Sequence, residues 1–170
     1  MKLDELMGRR SELMAELFLQ DLGPRFVAKA PDNLGFDFIV GFTNRRGGVN
    51  VVAVEVKTRQ TTLARQQMKA KSYDLLANSN VPGLLLVIDV KSNTVLYHLA
   101  RPGRTASSAL NIYLPLIEVD EAQRSELTRL FSSDEGAPRQ AVQAAEPGTT
   151  VQKQNSPDEL AGGTNGPGSE

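Results

Sequence analysis

The sequence predicts an α/β domain in which helices flank a mixed central sheet. The chain has 170 residues, of which 40% are hydrophobic and 23% are charged, and this composition supports one compact domain. SELMAELFLQDL at 11–22 carries apolar residues at helical spacing. GLLLVIDV at 83–90 is a continuous apolar run, which is typical of a strand covered on both faces. Along the chain the patterns follow the order α-β-β-β-α-β.

The first elements are a helix and a short strand. We expect the helix over 11–22, with Ser11 as its N-cap and Gly23-Pro24 as its stop. RFVAKA at 25–30 then predicts an edge strand.

A hairpin is expected next. GFDFIVGFT at 35–43 alternates in polarity, and the loop NRRGG that follows it contains two glycines suited to a tight turn. The strand at 49–57 therefore returns antiparallel beside it. This pairing places Asp37 and Glu55 on neighbouring strands.

The second half of the domain contains one more helix before its strands. From about residue 63 to 79 the spacing of Ala64, Met68 and Leu75 predicts a helix, which Pro82-Gly83 ends. Strands are expected at 83–90 and 94–100.

The last elements predict the boundary of the domain. Residues 112–119 favour an edge strand because Pro115 excludes a central one, and a short helix at 121–131 has a capping-box pair, Asp120 and Gln123. We therefore place the domain at 1–132. Residues 133–170 contain no aromatic residue and are rich in Gly and Pro. This composition predicts a disordered tail, and the alternative is that the tail carries a short partner-binding segment.

Composition excludes several kinds of chemistry. There is no cysteine and no tryptophan, and His98 is the single histidine, which we expect to be structural. Disulfides, Cys/His zinc sites and thiol nucleophiles are therefore excluded. Catalysis would have to use carboxylates, amines and a metal. No stretch approaches the roughly 20 apolar residues of a membrane span, and the N-terminus lacks the apolar core of a signal peptide, so a cytoplasmic location is expected.

Charge is distributed unevenly along the chain. Residues 1–110 contain 15 Lys/Arg and 10 Asp/Glu, whereas residues 111–170 contain 4 and 10. Seven basic residues fall within 45–71, which favours a nucleic-acid partner, with a solvated helix face as the alternative. They are Arg45, Arg46, Lys57, Arg59, Arg65, Lys69 and Lys71.

The strand VVAVEVK ends in two charges that point the same way. Side chains alternate along a strand, so Glu55 and Lys57 share one face. Burial of either ion costs several kcal/mol unless it is compensated. A divalent cation shared with Asp37 would offset that cost, and Lys57 could then position water or stabilise charge on a phosphate. The alternative is a surface ion pair that contributes up to about 1 kcal/mol.

At these residues the sequence resembles the PD-(D/E)XK nuclease superfamily, which has the restriction-endonuclease-like fold. GFDFIV and then VEVKT match its Asp and Glu-x-Lys positions, although no proline directly precedes Asp37, and Glu12 matches its helix glutamate. The resemblance spans about 8–118. Within the superfamily, the sequence is most similar to small prokaryotic domains of poorly characterised function, and its layout is also similar to that of archaeal-type Holliday junction resolvases.

The resemblance implies a metal-dependent DNA endonuclease that uses Mg²⁺ or Mn²⁺, with water as the nucleophile and a 5′-phosphate product. It implies metal binding by Asp37, Glu55 and the Val56 carbonyl, a catalytic Lys57, and a supporting role for Glu12 or, alternatively, Glu16. Roles in DNA repair, recombination or anti-phage defence are expected, as is homodimerisation. The alternatives are a module on the same fold that binds nucleic acid or protein without catalysis, and RNA as the substrate.

Nucleic-acid contacts are expected from residues around this site. A helical glutamine after the Lys motif recurs in some branches of the superfamily, and Gln67 matches it, whereas the basic residues would grip phosphates. The expected contacts are Arg45, Arg46, Arg59, Arg65, Gln67 and Lys69.

Overall fold

The computed structural model describes residues 3–59, 65–100 and 111–134. These residues form three α-helices, α1 (Leu3–Asp21), α2 (Ala70–Ala77) and α3 (Glu121–Phe131). They also form eight strands: β1 (Phe26–Lys29), β2 (Phe38–Thr43), β3 (Val49–Arg59), β4 (Arg65–Lys69), β5 (Gly83–Asp89), β6 (Thr94–Ala100), β7 (Asn111–Pro115) and β8 (Ile117–Glu118). The predicted tail lies outside the described residues, apart from 133–134.

Six strands form the main sheet, in the order β1-β2-β3-β5-β6-β8. The β3–β5 pair is parallel, whereas the other four pairs are antiparallel. The sheet is therefore mixed and flanked by helices, as expected from the sequence. β5 is buried on both faces from Gly83 to Ile88, which explains its continuous apolar run.

Each face of the main sheet has its own hydrophobic core. On one face, Val52, Val54 and Val56 of β3 pack with apolar residues of α1 and α3. On the other face, Ala53 packs with residues of α2, β4 and β7. Because side chains alternate along β3, Glu55 and Lys57 belong to this second face.

The first helix begins earlier than predicted. It runs from Leu3, so Ser11 lies in its middle, where the buried Ser11 hydroxyl donates to the Met7 carbonyl (3.0 Å) rather than capping a terminus. The buried stripe consists of Ser11, Ala15, Phe18 and Leu19, whereas Leu13 is 58% exposed. Intrahelical bonding of the serine explains why it is tolerated inside a helix.

The predicted helix at 63–79 is wrong in its first part. Residues 65–69 form β4, which pairs antiparallel with β7 in a separate two-stranded sheet, and only 70–77 are helical. Residues 60–64 lie outside the described residues. The basic segment after the Glu-x-Lys motif is therefore partly a strand, and Gln67 is on that strand rather than on a helix.

The predicted edge strand at 112–119 is divided in two. β7 ends at Pro115 and belongs to the two-stranded sheet, whereas β8 forms the edge of the main sheet beside β6. The final helix matches its prediction, and Asp120 Oδ1 accepts from the Gln123 N–H (2.8 Å). The Gln123 side chain accepts from the Tyr97 hydroxyl (2.6 Å) instead of completing a reciprocal capping box.

Candidate active site

Asp37 is held between two strands just before β2 begins. Its N–H donates to the Val54 carbonyl (2.8 Å), and its carbonyl accepts from the Ala30 N–H (2.9 Å). Gly35 brings the chain into this position with a φ of 77°, and a Cβ on Gly35 would lie 2.9 Å from Leu75 Cδ1. Glycine is therefore favoured at position 35 both by the positive φ and by the lack of room for a Cβ.

The Asp37 carboxylate is fixed beside Glu55 by the backbone of β3. Asp37 Oδ2 accepts from the Val56 N–H at 2.6 Å. This bond holds the Asp37 carboxylate next to Val56, whose carbonyl is the third metal ligand predicted from the sequence. The hairpin register predicted from the sequence thus brings Asp37 and Glu55 together.

Glu55 is a buried carboxylate with one cationic partner. Its exposed fraction is 7%, and its Oε1 accepts from the Lys57 ammonium, whose side chain is 38% exposed. The ion pair considered from the sequence therefore exists, but its acidic member lies inside the protein rather than on the surface.

Burial raises the pKa of the Glu55 carboxyl above its ordinary value. The hydrogen bond and charge of Lys57 lower this pKa, whereas the negative charge of Asp37 raises it, and the net direction is upward. Lys57 therefore compensates the buried charge incompletely. Additional positive charge at this position would stabilise the ionised carboxylate.

The helix carboxylate of Glu12 binds a lysine that the sequence analysis missed. Glu12 Oε2 accepts from Lys29 Nζ at 2.7 Å, across from α1 to β1. The hydrogen bond and charge of Glu12 raise the pKa of Lys29, and Glu16 and Asp37 add smaller effects in the same direction. The direct contact of Lys29 is thus with Glu12, and the charge of Asp37 acts on it only weakly. Its one sequence signal is the alternation that puts it on the same face as Val27.

A second missed contact fixes the end of β3 to α1. Thr58 Oγ1 donates to Ser11 Oγ at 2.9 Å. Thr58 directly follows Lys57, so the polar residue buried in the helix helps to fix the strand position that carries the lysine.

The donor set fits Mg²⁺ as a two-carboxylate site. Among residues 3–59, 65–100 and 111–134, no group of three or more His, Cys, Asp or Glu residues could hold a metal. Mg²⁺ is commonly bound by one or two carboxylates, with waters and substrate phosphate oxygens completing the octahedron. Asp37 and Glu55 would supply those carboxylates. Glu12 does not join them in a cluster, because its carboxylate pairs with Lys29.

The predicted nucleic-acid contacts fall into two groups. Arg45 and Arg46 lie at the tip of the β2–β3 hairpin, where Arg46 Nε is 3.8 Å from Asp134 Oδ2. Five register steps separate the Phe38–Val54 pair from the Thr43–Val49 pair at the tip, which corresponds to about 17 Å. Arg59 is two residues beyond Lys57, at the register position of Asp89.

The second group lies on β4. Arg65, Gln67 and Lys69 alternate with more buried residues, and all three are exposed. The structure thus separates these side chains from the hairpin arginines and places them on the two-stranded sheet.

Comparison with solved structures shows a distant structural likeness. No protein-family model and no curated protein matches the chain. The fold is similar to the structure of a bacterial homing endonuclease, I-Ssp6803I, with a TM-score of 0.40 and 16% sequence identity over 72% of this chain and 84% of that one. None of the helices among the described residues is long and apolar enough to cross a membrane.

Proposed function

We propose that this protein hydrolyses phosphodiester bonds of DNA with the aid of Mg²⁺ or Mn²⁺, as a nuclease of the PD-(D/E)XK type. The observation that supports it best is the environment of Glu55, a buried carboxylate beside Asp37 whose charge Lys57 offsets only in part. Such an arrangement costs stability in the free protein. Binding of a divalent cation and an anionic substrate would offset this cost.

The chain contributes distinct functions at this site. When bound, the cation supplies Lewis acidity and positive charge at the phosphate. Asp37 and Glu55 hold it, and the hydrogen bond from Val56 keeps Asp37 oriented. The Lys57 ammonium contacts Glu55, and its side chain is 38% exposed, so it can orient the attacking water and stabilise negative charge on the phosphate. Attack by water on phosphorus breaks the bond to the 3′ oxygen and leaves a 5′-phosphate.

The rival proposal is a module that binds DNA or a protein on the same fold without catalysis. The Glu55–Lys57 ion pair favours it to the extent that the lysine already satisfies one carboxylate oxygen. Binding without cleavage on every substrate would support this rival. We also propose that the protein acts in the cytoplasm, and that cleavage of both strands of a duplex would require a homodimer.

Cleavage assays test the proposal directly. Full-length protein is incubated with linear duplex, single-stranded and branched DNA, and with RNA, in Mg²⁺, Mn²⁺ or EDTA. We expect cation-dependent cleavage of DNA, reduced at least about 100-fold in Asp37→Asn and Lys57→Ala, because each removes a group acting on the reacting phosphate.

A matched substitution controls for the loss of a carboxylate. Glu126 forms an exposed ion pair with Arg129 on α3, so Glu126→Gln should leave cleavage unchanged. Cleavage that persists in both site variants, or in EDTA, would overturn the assignment, and preferential cleavage of RNA would replace DNA as the substrate.

A further inference from the structure

We propose that the two-stranded sheet of β4 and β7, here called the ribbon, lies in the major groove of the duplex next to the scissile phosphate. This inference rests on the proposed function, because it concerns how the same site receives its DNA. Beyond the predicted phosphate contacts, it specifies which groove of the DNA is bound and which side chains contact bases. It also predicts a preference for double-stranded substrate.

The outer face of the ribbon is polar and cationic. Antiparallel pairing puts Arg65 opposite Pro115, Gln67 opposite Tyr113 and Lys69 opposite Asn111, and all six side chains are exposed. The face contains two cations, two amides and one phenol that can hydrogen-bond, and no carboxylate. Among the described residues, no salt bridge joins Arg65 or Lys69 to an acidic side chain.

The inner face of the ribbon rests on the sheet face that carries the candidate site. Met68 and Leu114 are each 3% exposed and pack in one cluster with Ala53, Leu85 and Val87. In the β3–β5 register, Leu85 is the partner of Glu55 and Val87 is the partner of Lys57. The ribbon is thus a neighbour of the catalytic residues, on the same side of the sheet.

The ribbon is also fastened at one end. The Pro115 carbonyl lies 3.0 Å from His98 Nδ1, and because a carbonyl can only accept, the ring N–H is the donor. His98 belongs to β6 of the main sheet, so this bond ties β7 to the sheet. Outward-facing side chains on a fastened ribbon are held in fixed positions, which recognition of base edges requires.

The dimensions and chemistry of the face match duplex DNA. The major groove is about 12 Å wide and admits a two-stranded β-ribbon, and the amides of Gln and Asn pair with the N6 and N7 groups of adenine. Arg65 and Lys69 at the two ends of β4 suit the phosphates on the groove edges. Tyr113 is 62% exposed, and its ring would contact base edges or methyl groups within the groove.

Binding measurements in EDTA separate this inference from catalysis. The affinity of full-length protein for a 25-base-pair duplex is measured over a range of salt concentrations, for wild type and for the double variant Arg65→Ala/Lys69→Ala. We expect binding to weaken about 10-fold or more, and the slope of log K against log salt to decrease by about 2, one per lost phosphate contact. These side chains are exposed, so the Tm should not change.

The hairpin tip supplies a matched control. Arg45→Ala/Arg46→Ala removes the same charge at the hairpin tip, about 17 Å along the strands from the Phe38–Val54 pair beside the candidate site, and we expect a smaller loss of affinity. An equal loss in both double variants would indicate general attraction to polyanions and would overturn the ribbon assignment.

Selection from a random duplex library tests the amide contacts. Wild type should enrich a short motif, and Gln67→Ala/Asn111→Ala should relax it without changing the salt slope. Tighter binding to single-stranded DNA or RNA than to duplex would contradict the groove model. If wild type binds and cleaves duplex but the ribbon variants behave as wild type, this inference fails and the proposed nuclease function stands; if wild type neither binds nor cleaves DNA, both fail.

Discussion

At the scale of single residues, the buried charge of Glu55 is the feature from which the proposed chemistry follows. Its pKa is raised because burial outweighs the contribution of Lys57, and Asp37 adds repulsion. Two carboxylates held close together destabilise the fold where a single lysine offsets their charge only in part. Residues that are needed for catalysis commonly lower stability in this way.

Glu55→Gln should therefore stabilise the protein while it removes the activity. The amide has nearly the same shape but no charge to desolvate, so we expect the free energy of unfolding in EDTA to rise by about 1 kcal/mol. Addition of Mg²⁺ at tenfold excess over its Kd should raise the free energy of unfolding of wild type by about 1.4 kcal/mol, and its Tm accordingly. The Tm of the variant should not respond to Mg²⁺. Thermal denaturation with and without Mg²⁺ measures both effects.

The matched variant for this comparison is again Glu126→Gln, whose carboxylate is exposed. It should retain the Mg²⁺ response of wild type. A loss of stability in Glu55→Gln would mean that Lys57 fully satisfies the carboxylate, and the electrostatic basis of the metal proposal would fail.

The sequence predicted the proximity of Asp37 and Glu55 because that proximity depends on local rules. A glycine-containing hairpin sets the register, and strand alternation sets the faces. Lys29 and Ser11 were missed as members of this region because their roles depend on how α1 packs across the sheet. The residue spacing within α1 or within β1 does not indicate which side chains of the two elements will be in contact.

At the scale of secondary structure elements, β4 shows where sequence patterns fail. Met68 and Leu75 fit a helical stripe, and RQQMK has neither β-branched nor aromatic residues to indicate a strand. The segment is extended because it pairs with β7, which begins more than forty residues later. Tertiary pairing thus overrides local propensity, whereas β5 and β6 were predicted correctly from their apolar content.

Gly83 joins α2 to the central sheet and has a steric reason for its identity. A Cβ at this position would lie 2.7 Å from both the Leu76 carbonyl oxygen and Leu76 Cγ. Because the oxygen belongs to helix backbone, relief of the clash requires α2 to move. We expect Gly83→Ala to lower the free energy of unfolding by about 1–3 kcal/mol in urea denaturation.

Gly8 provides the opposite case within α1. A Cβ there would meet nothing within 4 Å, so Gly8→Ala should raise stability by about 0.5–1 kcal/mol through helix propensity. If Gly83→Ala raised stability as Gly8→Ala does, the assigned contact between Leu76 and Gly83 would be wrong.

The turn between β5 and β6 should respond to acid. Asp89 Oδ1 accepts from the N–H groups of Ser92 (3.2 Å) and Lys91 (3.0 Å), and these bonds hold the pKa of the Asp89 carboxyl below its ordinary 3.8. A lowered folded-state pKa gives stability that is present above the unfolded pKa and is lost as pH falls through the folded one. Wild type should thus exceed Asp89→Asn in stability at pH 6, and the difference should shrink as the pH falls below the ordinary pKa of 3.8. A difference that is independent of pH in urea titrations would contradict this assignment.

At the scale of the whole molecule, the parallel β3–β5 pair organises the site. A parallel pair requires a crossover, and here the crossover includes β4 and α2. The crossover places both elements on the face of Glu55 and Lys57. The sequence predicted the α/β class and a helix in this crossover, but not the sheet order, because the order depends on pairings between segments distant in the chain.

The end of the folded domain can be located by truncation. The Asn50 amide donates to the carbonyls of Phe131 (2.8 Å) and Ser133 (2.6 Å), and the buried Phe131 ring lies 5.2 Å from that of Phe42. A chain ending at Asp134 keeps these contacts and should retain the Tm of the full chain within about 2 °C, since the composition of 135–170 predicts no contribution to the core.

A chain ending four residues earlier, at Leu130, gives the contrasting result. It loses the Phe131 ring, which is 1% exposed, together with both carbonyl partners of Asn50. Removal of a buried Phe side chain costs about 3–5 kcal/mol, so this shorter chain should unfold at a much lower temperature and lose DNA cleavage with its fold. Circular dichroism melting of the two truncated chains beside the full chain measures the difference. Equal Tm values for the two truncations would show that α3 does not close the core in solution, and a large loss on ending at Asp134 would show that the tail is part of the folded domain.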